Sequence, residues 1–240
     1  MKLRSAALSN IGKVRLQNED NFLCREELGL FGVADGVGGL PNGGEASECA
    51  VRTVARSVMD GCNSSGSLEQ VVRATNEAVL RLGRLLSPDS GIGTTLTVGH
   101  FTGTKVQLAH VGDSRCYLFR AGQLTHQTED HTMENEARRR RALGEVVPAA
   151  SHHPYTLTRC IGQPDALDID LSEHEVLPGD RWLFVSDGVT GMVADAELAI
   201  VLSQDSSPKE CLEEIIKRAL LHGGHDNATG VLVRVDEPGG

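Results

Sequence analysis

At 240 residues and a formal net charge of −10, from 33 acidic against 23 basic side chains, the chain has room for one large domain or two small ones. That charge makes it a poor general binder of nucleic acid or anionic membrane, and no apolar run approaches the roughly 20 residues of a membrane helix. Hydrophobic residues make up 40% and aromatics only 3%, so a core has to be built from Val, Leu, Ile and Ala. No signal-peptide pattern follows Lys2 and Arg4. The six cysteines (Cys24, Cys49, Cys62, Cys116, Cys160, Cys211) are scattered, with no Cys-x-x-Cys pair. Free thiols in a reducing cytoplasm are therefore expected, and a zinc site on them is not.

Lys2 to Leu8 reads as a first strand, followed by a turn at Asn10–Lys13. Arg15-Leu16-Gln17-Asn18-Glu19-Asp20 then packs a guanidinium, an amide and two carboxylates in front of a second strand, Asn21 to Arg25. Leu30 to Ala34 is a buried strand ending on Asp35, and the glycines Gly36, Gly38 and Gly39 let the backbone turn sharply there. Ala46, Ala50, Val54 and Val58 mark a helix after Pro41–Gly44. Asn63–Gly66 is a loop, and Ser67 with Gln70 predicts a capping box for a second helix.

A strand-rich block follows. Thr94 to Phe101 and Lys105 to Val111 form a hairpin, Gly112-Asp113 interrupts, and Arg115 to Arg120 and Gln123 to Thr125 continue. These strands are apolar on both faces, which fits a position between two layers. Glu134 to Leu143 should be helical, with Arg138–Arg141 as a solvated basic face, and His152-His153 reads as loop. Asp168 to Val176 and Arg181 to Ser186 are strands, the second reaching Asp187-Gly188. Asp195 is expected to cap a short helix, and Ser207-Pro208-Lys209-Glu210 opens another. His225-Asp226-Asn227 leads into the final strand, Ala228 to Val235, and the tail Asp236 to Gly240 should be loose. With no linker in view, the chain reads as one domain: an antiparallel sheet or sheet pair covered by helices.

Asp-Gly alone is a common turn pair. Two strands each ending near one, at Asp35 and Asp187, point to carboxylates meeting at a site. Glu19, Asp20, Asp35, Asp113, Asp187 and Asp226 all fall at strand ends or adjacent turns. Such a cluster cannot stay ionised without compensating charge, which two or three divalent cations supply. An all-oxygen donor set selects Mg²⁺ or Mn²⁺ over Zn²⁺. A pair of such ions, about 3.5–4 Å apart, activates water for in-line displacement at phosphorus. Arg15 offers a bidentate grip on phosphate oxygens.

The motifs occur in an order that resembles the metal-dependent protein serine/threonine phosphatases of the protein phosphatase 2C type, in their compact bacterial form. They are Arg15-x-x-Asn18-Glu19-Asp20, Val33-Ala34-Asp35-Gly36-x-Gly38-Gly39, Gly44-Glu45-Ala46-Ser47, Gly93-Thr94-Thr95, Val111-Gly112-Asp113-Ser114-Arg115, Asp130-His131-Thr132, Leu157-Thr158-Arg159, Ser186-Asp187-Gly188 and Asp226-Asn227-x-Thr229. The resemblance implies an α+β fold, a four-layer α-β-β-α sandwich with the metals in a cleft at one end. By that analogy Asp35 bridges two Mn²⁺ or Mg²⁺ ions. Glu19 and the Gly36 carbonyl complete one site, and Asp187 and Asp226 the other. Asp113 with Asp187 holds a weaker third ion, Asp20 orients water, and Arg15 binds the substrate phosphate. The stretch from roughly Thr132 to Tyr155 becomes a variable flap.

Many eukaryotic relatives carry a His after the Asp-Gly pair, where this chain has Val37. A metal-bound water is then the expected proton donor to the leaving group, with His131 as second candidate. The resemblance also implies phosphoprotein substrates and a Ser/Thr kinase whose work is reversed. The acidic charge, the scattered cysteines and the lack of a membrane segment add the expectation of a diffusible cytoplasmic protein, a monomer with no nucleic acid or membrane partner. Two other readings are a non-catalytic phosphoprotein-binding module and a hydrolase of another phosphate ester. The first conflicts with retention of every metal acid. The second finds no nucleotide loop, since Gly36–Pro41 lacks the Gly-Lys-Ser/Thr ending.

Overall fold

Successive residues on the central strands face opposite layers, and that alternation builds the molecule. On β9 (Arg181–Val185), Trp182 and Phe184 enter the space between two sheets, while Leu183 and Val185 face helices. β10 (Ala228–Glu237) sends Val231, Val233 and Val235 inward and Leu232 outward. β3 (Leu30–Asp35) does the same with Phe31 and Val33 against Leu30 and Ala34. Strands apolar on both faces are thus the middle layers of a stack, as the sequence implied.

The computed structural model describes residues 2–61, 67–147, 154–164 and 166–237. The loop Asn63–Gly66, Cys62, His152-His153 and the last three residues of the tail lie outside the described residues. Two five-stranded sheets stand face to face. One runs β1 (Lys2–Asn10), β10, β9, β6 (Arg115–Arg120), β7 (Gln123–His126). The other runs β2 (Asp20–Arg25), β3, β4 (Leu96–Thr102), β5 (Lys105–Val111), β8 (Asp170–Glu175). Every pairing between these strands is antiparallel.

Helices α1 (Gly43–Met59) and α2 (Leu68–Leu86) cover the second sheet. α4 (Asp187–Thr190), α5 (Asp195–Ser203) and α6 (Pro208–Leu221) cover the first. This is the expected four-layer α-β-β-α arrangement. α3 (Met133–Ala142) stands outside the layers and buries only Asn135 and Ala137. Its arginines are exposed and mostly met by acids: Arg138 by Glu129, Arg140 by Glu145 and Arg141 by Glu134. Between the sheets, Phe31, Phe101 and Trp182 stack edge to face, with centroids 5.5 and 5.8 Å apart. Phe184 sits over Gly99, where a Cβ would fall 2.7 Å from its ring. Among the described residues no helix is long and apolar enough to cross a membrane.

Local readings differ in four places. The tail is not loose from Asp236: β10 runs on through Asp236 and Glu237, with Glu237 paired to Lys2 and Asp236 accepting from Arg4 Nη2 at 2.8 Å. Ser67 precedes α2, but its side chain makes no cap bond. β4 begins at Leu96 rather than Thr94, because Thr94 pairs with Ile161 and Thr95 donates its N–H to the Asp35 carbonyl at 2.8 Å. Asp195 is the first residue of α5 rather than its cap. Its carboxylate accepts from the Tyr117 hydroxyl at 2.9 Å and pairs with His126 at 2.6 Å, fastening β6 and β7 to the helix. α6 starts as read: Ser207 Oγ accepts from the Glu210 N–H at 3.3 Å, and Glu210 accepts from the Ser207 N–H at 2.9 Å.

Asp180, in the turn before β9, is buried and takes both Arg120 Nε and Nη2 at 2.7 Å, together with the Leu177 N–H at 2.8 Å. Asp180→Ala leaves Arg120 Nε and the Leu177 N–H without their acceptor, while Arg120 Nη2 keeps the Glu175 carbonyl at 2.7 Å. It is expected to lower stability by about 3 kcal/mol, read as a drop in urea midpoint with an unchanged m-value.

Candidate metal centre

The six acids gather at one end of the sandwich because the strand ends that carry them meet there. Asp20 opens β2, Asp35 closes β3, and the ladder sets them opposite one another. Asp113 lies in the gap between β5 and β6. Asp187 follows β9 by two residues and is the first residue of α4, and Asp226 precedes β10 by two. Ser186 ties these last two together: its N–H donates to the Thr229 carbonyl at 3.0 Å, and its Oγ accepts from the Thr229 N–H at 3.0 Å. The same Oγ donates to Asp20 Oδ2 at 2.7 Å, joining one sheet to the other.

Two glycines allow the close approach. At Gly188 a Cβ would fall 1.9 Å from the Asn227 carbonyl oxygen and 3.2 Å from Asp226 Cβ, so any side chain there would push Asp226 from Asp187. At Gly36 it would fall 2.5 Å from the Gly43 carbonyl carbon, while the Glu19 carboxylate lies against Gly43.

The result is a cavity of about 730 Å³ whose wall includes Arg15, Glu19, Asp35, Asp113, Asp187 and Asp226, with Gly36 and Val37 beside them. Pro154, Tyr155, Thr156 and Leu157 close one side, so the far arm of the expected flap stands next to the acids. The Asp35 backbone is held on both sides. Its N–H donates to Thr95 Oγ1 at 2.9 Å, and its carbonyl accepts from the Thr95 N–H and from Thr94 Oγ1, both at 2.8 Å. Its carboxyl stays within hydrogen-bonding reach of Asp187 and Asp20.

Burial, then the charges of Asp20, Asp187 and Asp113, push the Asp35 carboxyl well above the usual range. Burial raises Asp20 to about 7, against the hydrogen bonds of Thr229 and Ser186. Burial and then Asp187 raise Asp113 to about 7, and burial raises Asp187. Metal-free, burial and mutual repulsion favour the protonated forms of these carboxyls, and a cation would compete with those protons.

As they stand, no three His, Cys, Asp or Glu side chains among the described residues converge tightly enough to grip an ion. The acids line the wall instead, and Asp226 faces Arg15 at 2.6 Å. The donor chemistry nonetheless fits hard divalent cations: every candidate ligand is an oxygen, and Asp20 Oδ1 is buried with no hydrogen-bond partner.

Two sequence expectations shift. Asp20 is buried behind the wall rather than on it. His131, the second candidate for proton donor, does not line the cavity. It is buried, its Nδ1 accepts from the Gly112 N–H at 3.1 Å, and its Nε2 faces Asp170 at 3.2 Å. That removes it from proton donation to a leaving group. Asn227 stood in the motif without a role. Buried, it accepts from the Glu19 N–H at 2.8 Å and donates to the carbonyls of Ile11 and Gln17 at 2.9 and 3.0 Å, pinning the Arg15 loop. A buried Asn directly after an acid is the only sequence signal it carries.

A Protein phosphatase 2C profile matches residues 8–228. The serine/threonine protein phosphatase PstP of Mycobacterium tuberculosis (strain CDC 1551 / Oshkosh) is 35% identical over 245 residues, covering 97% of this chain and 45% of PstP. The chain thus spans about half the length of that relative. The serine/threonine phosphatase stp of Listeria innocua serovar 6a is 31% identical over 234 residues, covering 92% of each chain. A crystal structure of the PstP catalytic domain in complex with 2 manganese ions superposes with a TM-score of 0.79 at 32% identity, over 98% of this chain and 99% of that one. With its fold, its ring of acids and these matches, the chain belongs to the protein phosphatase 2C family.

Proposed function

We propose that the chain is a metal-dependent protein serine/threonine phosphatase. The reading rests above all on Asp35, fixed by three backbone bonds at a strand end with its carboxyl within reach of Asp20 and Asp187. Glu19, Asp35 and the Gly36 carbonyl would hold one Mn²⁺ or Mg²⁺ ion, and Asp35, Asp187 and Asp226 the other. Asp113 and Asp187 would hold a weaker third. Such ions offset the carboxylate charge, lower the pKa of water and stabilise charge on phosphoryl oxygens.

The protein's own groups do the rest. Asp20, with one oxygen held by Ser186 and the other unpaired, orients the attacking water. Arg15, on a loop pinned by Asn227, clamps the substrate phosphate once it leaves Asp226. The wall at Pro154–Leu157 meets the polypeptide around the phosphoresidue. Its partners are phosphorylated proteins, including a Ser/Thr kinase and its targets, met by a cytoplasmic monomer.

The test is phosphate release from a phosphothreonine peptide and turnover of p-nitrophenyl phosphate, each with Mn²⁺ or Mg²⁺ and after chelation. Activity that appears with the metal and disappears with chelator is expected; no turnover of either substrate with any divalent ion overturns the reading. Arg15→Ala should raise KM for p-nitrophenyl phosphate roughly 10–100-fold, the loss of one charge-assisted clamp. Arg15→Lys should recover only part of this, because an ammonium cannot make the two-pronged contact.

A further inference from the structure

The turn that carries Asp113 is fastened on both sides of it. Before it, the Gly112 N–H donates to His131 Nδ1 at 3.1 Å, and the Gly112 carbonyl accepts from the His131 N–H at 2.7 Å. After it, Ser114 Oγ pairs with Thr95 Oγ1 at 2.7 Å, and the Ser114 carbonyl accepts from Thr97 Oγ1 at 2.8 Å. Arg115 then grips Asp130, the neighbour of His131, with Nε at 2.8 Å and Nη2 at 2.6 Å. Gly112 has φ +114°, and a Cβ there would fall 2.6 Å from Thr95 Cβ, so the turn has little freedom of path.

Within this clamp His131 is the one side chain that meets the Gly112 N–H. An acceptor at Nδ1 puts the ring proton on Nε2, which lies 3.2 Å from Asp170 Oδ2. Arg159 Nη1 reaches the other Asp170 oxygen at 2.8 Å, and the His110 ring lies against His131 with centroids 4.7 Å apart. Arg159 Nη1 also lies 3.2 Å from Nε2, and these contacts together set the ring's orientation in a residue that is buried and does not line the cavity.

We propose that His131 is a positioning residue for Asp113: its Nδ1 holds the Gly112 N–H and so fixes the direction in which Asp113 presents its carboxyl to the cavity. This rests on the reading of Asp113 as a ligand of the weaker third ion. Groups one bond removed from a ligand tune metal affinity about 10–100-fold without touching the metal.

The experiment is calorimetric titration of the full chain with Mn²⁺ alone, for the parent, His131→Ala, His131→Asn, His131→Gln and Asp113→Asn. His131→Ala should weaken the lowest-affinity step about tenfold and leave the tighter steps within about twofold. His131→Asn should recover most of the loss, because its amide oxygen occupies the Nδ1 position. His131→Gln should not, because its amide reaches the Nε2 position. Melting curves check that each variant folds, and if the alanine variant does not, the Asn–Gln contrast decides alone. A parent-like isotherm for His131→Ala, or equal recovery by Gln and Asn, overturns the inference while leaving the phosphatase reading intact. A parent-like isotherm for Asp113→Asn overturns both the inference and the third-ion assignment beneath it.

Discussion

Asp35→Asn is expected to reduce Mn²⁺-dependent phosphate release by about 10³-fold or more while the fold stands. The side chains are the same size, and the bonds that anchor position 35 run through its backbone to Thr94 and Thr95, so the substitution leaves them alone. What it removes is the carboxylate shared by both proposed tight ion sites. Calorimetry should show Mn²⁺ affinity lost at those sites, and p-nitrophenyl phosphate turnover should fall to the background of the metal in solution. Metal-free, the variant should melt above the parent at pH 8. A neutral amide stands where burial and the charges of Asp20, Asp187 and Asp113 make ionisation costly. Lower activity with parent-like metal binding would point instead to a purely geometric disturbance. Activity within tenfold of the parent would remove Asp35 from the centre of the mechanism.

Asp35 and Asp187 were legible because each follows an apolar run and precedes a glycine, and a strand that must stay buried delivers its next residue to the end of the sheet. Both sheet faces were legible for a similar reason: Trp182, Leu183, Phe184 and Val185 leave no polar face for solvent. What could not be read were the contacts that cross the chain. Ser186 meets Asp20 across 166 residues, and Asn227 meets the Glu19 N–H across 208. No local pattern encodes either. Competition between partners defeated one cap reading. Asp195 can cap a helix in isolation, but Tyr117 and His126 hold its carboxylate. His131 failed as an acid for the same reason. Its motif put it near the site in sequence, yet the Gly112 N–H and Asp170 claim both ring nitrogens on the far side of the Asp113 turn.

The same acids should make the metal-free protein lose stability as pH rises from 6.5 to 8, and Mn²⁺ should reverse the trend. Asp20 and Asp113 release their protons near pH 7 in the folded chain, and near 4 when unfolded. Between those values the folded state binds more protons, so unfolding is favoured as protons are withdrawn. The contribution is fully present below about pH 4 and gone once both carboxyls have ionised above 7. Buried His110, lowered to about 4, and His131, also lowered by burial, act in the opposite sense. They are neutral when folded and charge on unfolding in acid, so they add stability as pH climbs to about 7.5, and His100 and His174, also lowered by burial, join them. The two sets oppose each other up to that pH, and the acids outweigh the histidines because Asp35, raised well above its usual range, adds to Asp20 and Asp113. The metal-free melting temperature should therefore fall by on the order of 5 °C from pH 6.5 to 8. Mn²⁺ at about a thousand times its dissociation constant is worth about 4 kcal/mol, or about 10 °C for a chain of this size. That gain should be seen at pH 8 and shrink to less than half at pH 5.5, where protons compete for the same oxygens. Asp35→Asn should lose most of the Mn²⁺ response. A metal-free melting temperature that rises through this window, or an equal Mn²⁺ shift at both pH values, would mean that these carboxyls are neither protonated together nor shared by a metal.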